Sequence, residues 1–168
     1  MLIRFATTND AHRIAEIKVA GWRAAYRGLM PDAFLDEMSV DRHTSIWQTS
    51  VADHPGRVLV AEMNGIVAGY LSAAASRDVD PIDPAIGEIY ALYVHPDHWR
   101  LGLGSALMAA GLETLRRARF SLAMLWVLAE NEPAIRFYQT HGFQPDGRSK
   151  LETWDDKSLM EISLARTL

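Results

Sequence analysis

The stretch Ile86-Gly87-Glu88-Ile89-Tyr90-Ala91-Leu92-Tyr93-Val94-His95-Pro96-Asp97-His98-Trp99-Arg100-Leu101-Gly102-Leu103-Gly104-Ser105 carries most of what this sequence says about its fold. The β-branched and aromatic run predicts a strand over Ile86–Val94, stopped by His95-Pro96-Asp97. A glycine-rich turn follows over Leu101–Ser105. A helix is expected over Ser105–Arg119, with Met108, Leu112 and Leu115 on one side. Gly102 and Gly104 let the backbone approach a ligand closely and take positive φ. Successive N–H groups would then face one concavity, joined by the positive end of the helix and by Arg100. A strand–turn–helix of this kind suits a phosphate or pyrophosphate. A glycine pair alone is more often simply a turn. The dinucleotide fingerprint needs a third glycine, where Leu107 stands, and the P-loop needs a Gly-Lys-Ser/Thr that is missing. The phosphate would be held by main chain, by neither of those two routes.

Outward from this stretch the chain alternates helices and strands. Downstream, Leu122–Leu128 is an apolar run expected as a strand buried on both faces. Asn131 caps a helix with Pro133 in its first turn, closed by Gly142. Phe143–Lys150 and Leu159–Leu164 read as a last strand pair. Upstream, Leu2–Phe5 reads as a short strand. A helix capped by Thr8 or Asn9 follows, with Ile14, Ile17, Gly21, Ala24 and Ala25 as its inner face. Gly28 ends it, and Pro31 begins a short helical stretch. A further helix covers Asp41–Ala52 with Ile46, Trp47 and Val51 inward. Val58–Glu62 and Ile66–Ala73 flank Asn64-Gly65, a strong hairpin signal. Arg77–Pro84, with three aspartates and two prolines, is expected as a surface loop. No repeat or linker divides the chain, so residues 1–168 read as one α/β domain with a mixed sheet.

Composition narrows the classes further. The chain has 168 residues, 49% hydrophobic and 23% charged, ordinary for a globule. A net charge of −4 gives no basic footprint for nucleic acid. There are no cysteines. That removes disulfides, a thiol nucleophile and cysteine-ligated metal, so any thiol must come with a cofactor. No segment has the apolar length of a membrane span or signal peptide, and the expected location is the cytoplasm.

Taken together, Leu92-Tyr93-Val94-His95-Pro96, the glycine turn, and Asn131-x-x-Ala134-x-x-Phe137-Tyr138 ending at Gly142-Phe143 resemble the GNAT superfamily of N-acetyltransferases in order and spacing. Trp22-Arg23-Ala24-Ala25-Tyr26-Arg27-Gly28 resembles the acceptor-side region of many bacterial members. One departure stands at the turn. The family usually opens it with Gln or Arg three residues before the first glycine, and here Trp99 holds that place, with Arg100 one later. The resemblance implies a mostly antiparallel sheet with flanking helices and a splayed central strand pair, Glu88–Val94 leaving Leu122–Leu128. It implies acetyl-CoA as co-substrate without a metal, its pantetheine arm in the gap against the main chain of Leu92, Tyr93 and Val94. Arg100, Leu101, Gly102, Leu103, Gly104 and Ser105 would wrap the pyrophosphate, and Asn131 would meet the arm. A homodimer is a family-level expectation.

The chemistry assigns the remaining roles. A Lys-like amine with a pKa of ~10.4 must lose a proton before attacking a thioester. The oxyanion then formed wants a fixed donor, for which the Leu92 amide is the candidate. A free thiol ionises with a pKa of ~8.5, so the leaving thiolate departs more readily if protonated, and Tyr138 is the candidate acid. Glu88 is the candidate base, acting through a water, with residues 88, 90 and 92 expected on one strand face. Glu152, Asp155 and His98 are weaker candidates. Trp22 and Tyr26, four apart on a helix, are expected to hold the amine acceptor. Each residue also has a structural reading: Asn131 as only a cap, Tyr138 as a core aromatic, Glu88 as a strand-end carboxylate, Trp22 and Tyr26 as a packed pair. The expected reaction is acetyl transfer to a small-molecule primary amine. The alternatives are acetylation of a protein N-terminus or lysine, a non-catalytic acyl-CoA-binding domain, and a nucleotide-dependent oxidoreductase.

Overall fold

The structure is a computed structural model that describes residues 1–77, 85–154 and 157–168. The loop expected over Arg77–Pro84 therefore lies, from Asp78 on, outside the described residues, as does Asp155. The elements in chain order are β1 (Leu2–Phe5), α1 (Ala11–Tyr26), α2 (Asp32–Asp36), α3 (Val40–Asp53), β2 (Val58–Met63), β3 (Ile66–Ala75), β4 (Ile86–Val94), α4 (Leu103–Arg117), β5 (Leu122–Leu128), α5 (Glu132–Thr140), β6 (Gln144–Trp154) and β7 (Lys157–Thr167). The strands form one sheet in the order β1-β2-β3-β4-β5-β7-β6. Its pairs are antiparallel except β4–β5, which is parallel. This is the mixed, mostly antiparallel α/β sheet with flanking helices that the sequence led us to expect.

Each face of the sheet has its own core. On one side α4 presents Leu103, Leu107, Met108, Leu112 and Leu115 to Leu71, Ala73, Ile89, Leu125 and Val127. On the other, α1 and α3 present Ile14, Ile17, Trp47 and Val51 to Val58, Val60 and Tyr70. Burying both faces is what allows β5 to be apolar along its whole length. Asn64 and Gly65 take φ of 53° and 78°, as a tight two-residue hairpin turn requires.

Several expectations are corrected. Thr8 and Asn9 do not cap α1. They lie in a 3₁₀ turn, Thr8–Asp10, and the cap is Asp10. The Asp10 carboxylate accepts from the Thr7 N–H at 2.8 Å and from Arg4 Nη1 and Nη2, each at 2.8 Å. Ala24 is exposed and Ala25 only half-buried, because the last turns of α1 run past the core and border a cleft. Ile46 is 52% exposed. Helical spacing aims the Trp47–Val51 stripe inward and leaves its neighbour outside. α4 begins at Leu103 rather than Ser105. Gly104 therefore lies in the first helical turn and does not take the positive φ expected of it.

The alternation expected at residues 88, 90 and 92 also fails. Across β3–β4, Ser72 faces Ala91 while its neighbour Ala73 faces Ile89, so Tyr90 is an extra residue, a bulge. A bulge shifts the parity of a strand. Glu88 consequently shares the α1 face with Ala91 and Tyr93, whereas Leu92 packs toward the α4 core.

Candidate active site

The central strands part just below the bulge. β4 and β5 pair only at Ile86–Leu122, Gly87–Ala123 and Glu88–Met124. Beyond that point β4 stays with β3 as far as Val94, and β5 stays with β7 as far as Leu128. The facing edges, Ile89–Val94 and Leu125–Leu128, thus leave one another. A cleft of about 920 Å³ occupies the opening. It runs from the start of α4, past α5, to the end of α1.

At the first end the turn after β4 makes an anion cradle. Arg100 and Gly102 take φ of 61° and 84°. The first helical bond of α4 is Ala106 N–H to Gly102 O, so the amides of Leu103, Gly104 and Ser105 come before any intrahelical partner. Together with the helix dipole they favour negative charge. Trp99 is 45% exposed, and its Nε1 donates to Val94 O at 2.7 Å. The side chain at the family's Gln/Arg position therefore ties the turn back to the strand end. A Cβ on Gly104 would come within 3.4 Å of the Phe137 ring, so this glycine matters for the packing of α4 on α5.

In the middle of the cleft stand Asn131 and Tyr138. Asn131 Oδ1 accepts from Ala134 N–H at 3.3 Å, which caps α5 and leaves the Nδ2 end of the amide out of that bond. Tyr138 is half-buried in the wall, packed edge-on against Phe137 and Phe143. Burial, and next the nearby Tyr26, raise its hydroxyl well above the ordinary phenol range. It keeps its proton at any neutral pH.

The far end is aromatic and acidic. Trp22 packs on Tyr26 at 5.1 Å between centroids, and also touches Phe34, Tyr93 and Trp154. The Tyr26 hydroxyl lies 3.1 Å from that of Tyr93. Glu88 is 1% exposed, and Arg77 engages both its oxygens: Nη2 to Oε1 at 2.5 Å and the backbone N–H to Oε2 at 2.9 Å. The lone pairs a base would use are thus shared with Arg77. Glu152 and His98 also line the cleft. Trp154 and Glu161 line it too, and both went unread in the sequence. Burial raises the Glu161 carboxyl, offset in part by Lys150 at 3.5 Å. The available signal was a carboxylate between the apolar residues Met160 and Ile162. Glu161 sits opposite Leu128, at the end of the buried β5.

The expected site residues therefore gather around one cleft: Trp22, Tyr26, Glu88, Leu92, Tyr93, Val94, Arg100, Gly102, Leu103, Gly104, Ser105, Asn131 and Tyr138 line it. Leu101 is not among its walls and stands exposed between Arg100 and Gly102. Among the described residues no cluster of three or more His, Asp or Glu could hold a metal ion, and no helix is long and apolar enough to cross a membrane.

The sequence profile of the Acetyltransferase (GNAT) family matches residues 11–143. The chain belongs to the GNAT acetyltransferase family. Such an acetyltransferase is an acetyl-CoA-dependent N-acyltransferase, and the cradle and the parted strands fit that co-substrate. The L-amino acid N-acyltransferase MnaT of Escherichia coli is 30% identical, over 98% of this chain and 94% of its own. The L-methionine sulfoximine/L-methionine sulfone acetyltransferase of Salmonella typhimurium is 28% identical, over 98% and 95%. Among solved structures, the yncA protein of Salmonella typhimurium with its cofactor acetyl-CoA superposes with a TM-score of 0.75 at 25% identity, covering 99% of this acetyltransferase and 93% of that chain.

Proposed function

We propose that this enzyme transfers the acetyl group of acetyl-CoA directly to the primary amine of a small molecule. The observation that carries the reading is the continuous cleft between the parted strands, with a phosphate cradle at one end, Tyr138 midway and a closed aromatic wall at the other. The closure argues for a small acceptor. Trp154 at the end of β6 packs on Trp22 and Phe34, and Lys157 Nζ donates to Leu29 O at 2.6 Å. The β6–β7 hairpin is thereby fastened over the α1–α2 connection, and a folded polypeptide would need that strap released. The two full-length relatives named for amino acid substrates point the same way.

Acetyl-CoA supplies an acetyl group activated as a thioester. The amides of Leu103, Gly104 and Ser105 hold the pyrophosphate, and the open edge of β4 receives the arm. The Leu92 amide, on that edge, would meet the carbonyl oxygen. Tyr138, held protonated, donates to the sulfur as it leaves. Glu88 takes the amine proton through a water once Arg77 yields a lone pair, and Glu161 is the second carboxylate in reach of the same end. The test is an acetyl-CoA consumption screen across amino acids, polyamines, aminoglycosides and peptides, with calorimetry on CoA and NAD alongside. Turnover of a small amine with CoA binding is expected. Tight NAD binding, or turnover confined to peptides, defeats the reading.

A further inference from the structure

Trp99 stands where the family's turn usually opens with Gln or Arg, and its ring does little for the fold. Of the five tryptophans it alone is exposed. It belongs to none of the three apolar clusters that hold the sheet and helices together. A single exposed apolar side chain is ordinary on a protein surface. Trp99 differs in two respects. It lines the cleft, whereas its exposed neighbour Leu101 does not. Its orientation is also fixed, because Nε1 donates to Val94 O at 2.7 Å.

The ladder tells which way Val94 O faces. His95 N–H donates to Ala68 O at 2.8 Å. Ala68 and His95 thus stand at a hydrogen-bonded position of the antiparallel ladder, and such positions alternate with positions that exchange no bonds. Gly69 and Val94, the next pair, are of the second kind. The Val94 carbonyl therefore points away from β3, toward the edge that β5 has left open. An indole bound to it lies along that edge. The chain reaches the first amides of α4 four residues after Trp99, so the ring stands between the open edge and the phosphate cradle.

The structure of CoA decides what meets a ring at that place. Inward from the pyrophosphate, the arm begins with pantoate, whose quaternary carbon carries two methyl groups. The two amides and the thioester come deeper. The portion just inside the cradle is thus the most apolar part of the arm, and an aromatic face of fixed orientation suits it. Gln or Arg at this place would offer hydrogen bonds. Trp99 has spent its one donor on Val94 O and presents only its faces.

We propose that Trp99 is a cofactor-binding residue that packs its indole on the geminal methyl groups of the pantoate unit, with the Nε1–Val94 bond holding the ring in place. This rests on the arm lying along the open edge of β4, as the proposed reaction has it. The contact favours carriers with a pantoate arm and adds nothing to the grip on the nucleotide.

Trp99→Ala is the test. The ring lies outside every cluster, so the melting temperature should stay within about 2 °C of the parent. Calorimetry compares CoA, phosphopantetheine (the arm with one phosphate) and ADP (the nucleotide without the arm), the last two also by displacement of CoA. The substitution should weaken CoA and phosphopantetheine at least about fivefold each and leave ADP within about twofold. Trp99→Phe restores a face without the donor and should recover part of the loss. Saturation-transfer NMR reads the contact itself. Saturating the protein's aromatic protons should reach the geminal methyls of bound CoA in the wild type. Trp99→Ala should lose most of that transfer and keep the transfer to the cysteamine methylenes. Where a fragment binds too weakly to titrate, the methyl transfer decides alone. Unchanged methyl transfer overturns the proposal. So does an ADP loss equal to that of CoA, which would put the ring on the nucleotide or make it a brace of the cradle. Phosphopantetheine binding indifferent to the substitution overturns it as well. Wild-type CoA binding persists through each of those results, so the acetyl-CoA reading fails separately, and only if the wild type binds no CoA.

Discussion

At the residue scale, the proposed chemistry rests on Tyr138 and on the carboxylates Glu88 and Glu161. Tyr138→Phe removes one hydroxyl from a ring already packed on Phe137 and Phe143. CoA affinity and melting temperature should hold while kcat falls by about 10²–10⁴, measured by thiol release. For the base, the pH–rate profile separates the candidates. Glu88→Gln should lower the rate and remove the acidic limb. If the limb survives in that variant and vanishes in Glu161→Gln, the base is Glu161, whose limb would lie above the ordinary carboxylate range because burial raises its pKa. Trp22 is a different case. Helical spacing alone predicts that Trp22→Leu raises acceptor KM with little loss of stability. Its ring instead touches Tyr26, Phe34, Tyr93 and Trp154, so the substitution should also cost about 2 kcal/mol or more, a loss a thermal melt reads directly.

At the element scale, the ends of the helices matter more than their middles. Gly102 closes the turn at φ 84°, and a Cβ there meets only Met1 Cε at 4.0 Å. Gly102→Val is therefore opposed by backbone strain of about 1–2 kcal/mol and not by crowding. Relief of that strain would turn the first amides of α4 away, and calorimetry should show CoA affinity falling by about tenfold or more. The start of α1 carries a pH dependence. Hydrogen bonds from Arg4, and next from Thr7, hold the Asp10 carboxyl down to about 2. A carboxyl lower in the folded than in the unfolded state stabilises at pH values above the unfolded pKa. That contribution fades as pH falls from about 4 toward 2. Asp10→Asn should cost about 1–2 kcal/mol at pH 7, measured by urea unfolding, and nearly nothing near pH 2.

At the scale of the whole molecule, the parted sheet is both the proposed site and the seam of the fold. β4 and β5 share three paired positions, and beyond them the two edges are bridged by the packing of α4 and not by strand pairing. Filling the cleft should tie the two halves together. CoA at about 100 times its Kd should stabilise by about 2.7 kcal/mol, a rise of roughly 5–10 °C in Tm for a chain of this size. NAD at the same concentration should give no rise. Hydrogen exchange should slow in CoA at Ile89–Val94 and Leu125–Leu128 more than in the outer β1–β2 pair. Equal protection across the sheet would place the ligand elsewhere.

Local pattern determined most of the elements and part of the candidate site. The bounds of β1, β4 and β5, the Asn64-Gly65 turn, the Asn131 cap and the cradle before α4 all depend on near neighbours in sequence, where periodicity and special φ act. The tertiary structure alone decided where those elements open and what the far end of the cleft contains. The bulge at Tyr90 depends on pairing with β3, and it moved Glu88 onto the α1 face against simple alternation. Arg77 reached Glu88, and Glu161 and Trp154 reached Trp22 and Tyr26, across contacts between distant segments. Burial gave the Tyr138 and Glu161 side chains their raised pKa values. Such properties arise from desolvation and long-range packing, which only the assembled sheet creates.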